Sequence, residues 1–212
     1  MNYSELTQLI QDYCQSTETS FVANIPTFVE VAEQRIYNTV QLPALRKNVT
    51  GSMSSGNQYM TLPTDWLSTF SLAVIDGTTG EYEYLLNKDV NFIRASYPFP
   101  ATSGKPKYYS IFDATTMLLG PTPNADFTAE LHYYYYPVSI VTAGTSWLGN
   151  NFDSVLLYGS LREAYTYLKG EQDMMTYYEQ KYQEALGQLK RLGDGLDRQD
   201  AYRSGQVRIP VI

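Results

Sequence analysis

The chain has 212 residues and a formal net charge of −7, with only 17% charged side chains, one cysteine and one histidine. That length buries roughly 70% of the unfolded surface without staples. Cys14 alone excludes a disulfide framework or a cysteine-based zinc site, His132 alone excludes any site with two imidazoles, and the acidic balance argues against a general nucleic-acid binder.

The start, Met1 to Cys14, has no basic region and no apolar core, so neither a leader nor an anchor is expected. Leu6, Leu9, Ile10 and Tyr13 at helical spacing predict a first helix over 2–15, with Asn2 and Glu5 spaced as a capping box. Residues 16–24 read as a polar loop. A second helix is expected over 26–40, with Pro26 in its first turn and Thr27 with Glu30 as a second capping box. Its apolar face is Val29, Ala32 and Ile36, with Glu33 the exception, and Pro43 marks the end. The first 34 residues hold five acids and no base. Asp12, Glu18, Glu30 and Glu33 lack calcium-loop spacing.

From 44 to 140 the period becomes two. Strands are predicted at Val49–Ser54, Gln58–Leu62 and Thr69–Asp76, and at Glu81–Leu86 after the turn Asp76-Gly77-Thr78-Thr79-Gly80. A short helix or turn follows over 88–96. Lys107–Asp113 and Met117–Leu119 form a hairpin, and Phe127–Tyr136 is the last strand, bracketed by Pro121, Pro123 and Pro137. In Tyr133-Tyr134-Tyr135-Tyr136 successive rings point to opposite faces, which predicts a central or covered strand. The longest apolar stretch, Leu131–Val141, is too short for a bilayer, which takes about 20 residues.

Helix returns over 151–169, with Leu157, Leu161, Ala164 and Leu168 as its stripe. Lys169-Gly170-Glu171 turns into a fourth helix over 171–192. Its ladder is Met175, Tyr178, Tyr182, Ala185, Leu189 and Leu192, and Gly193 and Gly195 are expected to end it. The short link makes the last two helices an antiparallel hairpin. The fold class is therefore α+β: a helical bundle from N- and C-terminal helix pairs, an inserted antiparallel β domain and an extended C-terminal tail. The expected parts are 1–43 and 141–193 for the bundle, 44–140 for the β domain and 194–212 for the tail. Neither helix pair can bury its stripe alone, so the pairs are expected to pack on each other.

No constellation for catalysis stands out, and no cofactor or metal site is expected. Gly104-Lys105 lacks the rest of a phosphate loop. His132 lies inside the tyrosine strand, where a hydrogen-bonded core or interface role fits better than a general base. Glu81 and Glu83 share one strand face, as a glycosidase pair or as the polar side of an edge strand. Asp65-Trp66 reads as a turn aspartate with a tryptophan anchoring the loop, or as a sugar-stacking pair. Cys14 sits on the first helix's apolar face. The Asn-x-Ser/Thr matches at Asn2 and Asn48 read as chance. The 20 tyrosines fit either a tyrosine-rich β core or surfaces covered by partners.

Four stretches carry a resemblance. Val31-Ala32-Glu33-Gln34-Arg35-Ile36 is similar to an A-E-x-R-I pattern, and Leu62-Pro63-Thr64-Asp65-Trp66-Leu67 to an L-P-x-D-aromatic turn. Next come Pro106-Lys107-Tyr108-Tyr109, Leu118-Leu119-Gly120-Pro121-Thr122-Pro123 and the tyrosine strand closed by Pro137. Last is the hairpin with Ala164, Tyr165, Leu168 and the Tyr178–Tyr182 segment. In this order they resemble the head-to-tail adaptors of tailed bacteriophages, the head-completion or tail tubular protein A-like family. The extreme tyrosine content departs from that pattern, and nothing after Gly193 aligns with it.

The resemblance implies a structural virion protein rather than an enzyme. Such adaptors form a twelve-subunit ring below the portal, continue the DNA channel without binding DNA specifically, and offer a platform to the tail nozzle or tail tube. It places the protein at the head–tail junction of a virion assembled in the bacterial host cytoplasm, with no membrane partner. It also implies that the tail reaches the portal protein, with Arg198, Arg203 and Arg208 pairing with carboxylates and Val207, Ile209 and Ile212 as apolar anchors. Tyr134, Tyr136, Tyr178 and Tyr182 are the subunit-interface candidates. The alternatives are another tail or baseplate protein, or a carbohydrate-binding β module displaying Trp66 or Trp147.

Overall fold

Asn2 opens the first helix, α1 (Tyr3–Cys14), through the expected capping box: its side-chain oxygen accepts from the Glu5 N–H and Glu5 accepts from the Asn2 N–H, both at 2.9 Å. The computed structural model describes residues 1–77 and 79–196. Leu6 and Ile10 are the buried side of α1, and Gln15, left-handed at φ 48°, ends it.

The second helix, α2 (Thr19–Thr39), starts seven residues earlier than its predicted first residue, so Pro26 is interior rather than in the first turn. Interior proline removes a backbone hydrogen bond and costs about 3 kcal/mol. Phe21 and Ile25 are fully buried on the face continued by Phe28, Val29, Ala32 and Ile36. At roughly 1.5–3 kcal/mol for each large apolar side chain, burying those two offsets the proline. Thr27 therefore caps nothing, and a single 3-10 turn, Pro43–Leu45, closes the segment.

The strands follow as β1 (Arg46–Met53), β2 (Tyr59–Thr61), β3 (Ser68–Ile75), β4 (Tyr82–Tyr84) and β5 (Leu86–Asn87). After the helix α3 (Val90–Ser96) come β6 (Ser103–Gly104), β7 (Tyr108–Ile111), β8 (Thr116–Gly120), β9 (Thr122–Pro123) and β10 (Phe127–Tyr134). One sheet has the order β1-β10-β3-β4, the second β2-β8-β7-β5, and β6 pairs β9. The four-stranded sheets are antiparallel except where β5 joins β7, and β6–β9 is also parallel, so the expected purely antiparallel domain is corrected at two short pairs. The tyrosine strand β10 is central, as its two-faced aromatic pattern predicts.

Alternation along β10 sends Ala129, Leu131 and Tyr133 to one side, where they join Met53, Leu72 and Val74. Met60, Tyr109, Met117 and Leu119 of the second sheet complete the same apolar cluster. Residues Arg46–Tyr136 form one compact unit with this core. Residues 1–45 and 137–196 form the other.

In that second unit α4 (Ile140–Ala143) and α5 (Trp147–Asn151) precede α6 (Asp153–Tyr167) and α7 (Gln172–Leu196). The two short helices are not signalled by periodicity; the serines Ser139 and Ser146 cap them. α6 contacts α1, α2, α5 and α7. Val155, Leu156, Gly159 and Ser160 are therefore buried beside Leu161 and Ala164, a wider face than the predicted stripe. Ion pairs join α2 to α6 (Arg35 with Glu163) and α6 to α7 (Arg162 with Glu179, 2.7 Å).

Lys169, at φ 53°, turns the chain between α6 and α7. Gly193 and Gly195 do not end α7, which runs through both to Leu196. A Cβ on Gly193 would lie 2.6 Å from the Gln41 carbonyl oxygen, so this glycine permits close approach rather than termination. Of the expected tail 194–212, residues 194–196 are helical. The portal-docking candidates Arg198, Arg203, Val207, Arg208, Ile209 and Ile212 lie outside the described residues.

Candidate interaction surfaces

The outer face of the β1-β10-β3-β4 sheet carries an aromatic cluster. Its origin is a register shift between His132 and Tyr133: Tyr133 faces Thr69 but His132 faces Ser71, leaving Phe70 as the extra residue of a bulge. The bulge separates Phe70 from the inward side occupied by Leu72 and Val74, and Phe70 is 40% exposed. His132 meets its ring edge-on at 4.9 Å and Tyr134 at 6.0 Å. The Arg46 guanidinium lies 4.6 Å from the Phe70 centroid and 5.4 Å from that of Tyr134. Further along the sheet Tyr82 donates to Glu130 at 3.4 Å, and Tyr84 is 63% exposed. Of the interface candidates, Tyr134 belongs to this face, and Tyr136, just beyond the strand, is exposed.

Tyr178 and Tyr182 are placed differently. They are 3% and 1% exposed, inside the helical unit. Tyr178 is the hub of a tyrosine cluster, with Tyr165 at 4.8 Å, Tyr177 at 5.5 Å, and Tyr13 and Tyr158 at 6.5 Å. Desolvation pushes its phenol well above the ordinary range. Tyr13 and Tyr177 are the exposed rings of that cluster. Helical spacing of tyrosines does not separate this hub from its rim, because position around α7 depends on which neighbours cover it. The adjoining Cys14 is half-buried, and desolvation pushes its thiol up to about 11, so it is a poor nucleophile.

The Asp65-Trp66 turn is a structural node. Asp65 accepts from Lys47 at 2.7 Å and from the Tyr133 hydroxyl at 2.8 Å. The lysine ammonium and the phenol hold its carboxyl below the usual carboxylate range, and the same contact raises Lys47. Trp66 donates to Thr69 at 3.1 Å and packs on the β core, while Trp147 stacks on Phe152 at 6.4 Å. Neither tryptophan stands as an open sugar platform. Glu83 pairs with Lys105 at 2.6 Å on β4, the end strand of its sheet, which is the polar-edge arrangement.

Glu33, the acid in the apolar stripe of α2, is buried and accepts from the Ile140 N–H at 3.0 Å and from Ser139. It completes the start of α4, and burial raises its carboxyl above the usual range. Among the described residues no group of three or more His, Cys, Asp or Glu side chains could hold a metal ion, and no helix is long and apolar enough to cross a membrane.

The described residues thus form a helical unit and a two-sheet unit with buried apolar cores, and an aromatic cluster lies on the outer face of one sheet. The family model of the SU10 adaptor protein matches residues 1–210, and the chain belongs to that family of bacteriophage head-to-tail adaptors. It is a family of structural adaptors, not of enzymes. No curated protein matches the chain.

Proposed function

We propose that the chain is the subunit of a homo-oligomeric ring, a dodecamer by the resemblance, that sits below the phage portal, continues the DNA channel and gives the tail nozzle or tail tube its platform. The observation that carries this reading is the family match across nearly the whole chain, both units included. The helices of the helical unit would form the bundle of the ring body. Heterologous contacts that close on themselves would build the ring. The low charged share and the outer-face cluster of Phe70 and Tyr134 fit a subunit with much of its surface covered, and that cluster, with Tyr136, is the proposed subunit contact. Tyr178 and Tyr182 would act indirectly, by holding α7 in place. A net charge of −7 favours a lumen along which DNA slides. Assembly would take place in the bacterial host cytoplasm.

Residues 197–212 would be the docking arm. Arg198, Arg203 and Arg208 would pair with portal carboxylates, and Val207, Ile209 and Ile212 would supply its apolar anchors. Mass photometry and negative-stain imaging of the chain alone, and mixed with portal rings of the same phage, test the reading. A ring capping the portal in the mixture is expected; a bare portal with no ring in either sample would overturn it. Deleting 197–212 should abolish capping and leave the fold intact.

A further inference from the structure

β1 lies at the end of its sheet and pairs with β10 on one side only. Six consecutive residues, Lys47 to Ser52, are exposed. Edges of this length are normally blunted by charge, proline or a bulge. Here Asn48-Val49-Thr50-Gly51-Ser52 contains no charge and no proline, and its pairing with β10 runs without a register shift. The nearest charge, Lys47, is engaged by Asp65.

A groove of about 260 Å³ runs beside this edge, lined by Val49, Gly51, Met60, Leu62, Pro63 and Leu131 among others. Its far wall, β2, is likewise an end strand. Gly51 borders open space in this groove, since a Cβ there would meet nothing within 4 Å. An extended peptide laid along β1 would gain main-chain hydrogen bonds and bury alternate side chains in the groove.

We propose that residues 206–212 of a second copy of this chain add to β1 as a strand. In Gln206-Val207-Arg208-Ile209-Pro210-Val211-Ile212 the β-branched Val207, Ile209 and Val211 share one strand face and match the apolar groove. Gln206 and Arg208 then face water. In a strand, residues that share a face also point their N–H groups to the same side. In one of the two strand directions, therefore, Val207, Ile209 and Val211 bond β1 while Pro210, which has no N–H, is turned away from it. Residues 197–205 span up to about 30 Å when extended, which sets the reach of the arm. The proposal rests on the ring reading, which holds copies side by side. It gives the anchoring end of the arm a receptor within the ring, and leaves Arg198 and Arg203 to the portal.

The full chain carrying Val207→Asp, Ile209→Asp and Val211→Asp keeps an open groove. A labelled peptide of residues 204–212 should bind it saturably and slow amide exchange at residues 48–52. Adding Gly51→Glu, which the open space accommodates, should weaken that binding by on the order of tenfold or more. Mixing the triple variant (intact groove) with a Gly51→Glu chain (intact arm) should give association in analytical ultracentrifugation that neither shows alone. Absent protection at 48–52, binding indifferent to Gly51→Glu, or no association in the mixture would each overturn the proposal. Portal capping by the unaltered chain is read separately: capping without peptide binding removes the strand proposal alone, and peptide binding with a bare portal removes the ring reading.

Discussion

The two units decide the side of a tyrosine by different means. In the helical unit Tyr178 and Tyr182 are core fillers, and Tyr182 lies so close to α6 that a Cβ on Gly159 would sit 3.2 Å from its ring. In the β unit alternation sends Tyr133 inward to donate to Asp65 and sends Tyr134 outward beside Phe70 and Arg46. A tyrosine on a helix seam is covered by whatever helix lies across it; a tyrosine on a pleated strand has its side decided by parity. Tyrosine content alone therefore says little about where an interface lies.

The largest test of this contrast is Gly159→Val. The ring of Tyr182 on one side and Ala32 on the other, both 3.2 Å from the added Cβ, leave no room for two further methyls. A loss of about 3 kcal/mol is expected. It should be read as lost amide protection in α6 and α7 with protection in β10 unchanged; equal loss in both units would break the comparison.

Removing the hydroxyls sharpens it. The Tyr182 hydroxyl is buried without a hydrogen-bond partner, so Tyr182→Phe should leave stability unchanged or raise it. The Tyr133 hydroxyl serves Asp65, so Tyr133→Phe should cost about 1 kcal/mol by urea denaturation. The reverse order would show that the two phenols had been assigned the wrong roles.

The smallest effects are the acid–base slopes, which have opposite signs. Asp65 has a depressed folded-state pKa, so its contribution is present above the unfolded carboxylate range and is lost as pH falls through the folded value. Asp65→Asn should flatten the acid side of the β unit's stability profile. Glu33 has a raised folded-state pKa, so between about 4.5, its unperturbed value, and the folded value the native state binds more proton than the unfolded one. Stability of the helical unit should fall with rising pH across that window, and Glu33→Gln should remove the slope. Hydrogen exchange resolved by residue, over pH 4 to 8 for Glu33 and below pH 5 for Asp65, separates the two; a common sign would contradict one of the geometries.

Much of this was legible in local pattern. Asn2 and Glu5 announce a capping box, the period-two run places the longer strands but not β6 or β9, and Tyr133–Tyr136 mark β10 as central. The failures share a cause. Pro26 and Gly193 carry strong local boundary signals, a start and a stop, yet α2 and α7 run through them. In one case burial of Phe21 and Ile25 outweighs the missing hydrogen bond; in the other a small residue is needed against Gln41. Strict alternation would put Phe70 with Leu72 and Val74, and only the bulge opposite His132 and Tyr133 turns it outward.

By itself, then, the sequence determined the longer elements, their order and the family, because caps, periods and short motifs are read over a few residues. The tertiary structure decided which tyrosines are core and which are surface, where helices end, and that β1 is left with an open edge. Those outcomes depend on partners distant in sequence, whose burial and close approach outweigh local preferences of a few kcal/mol.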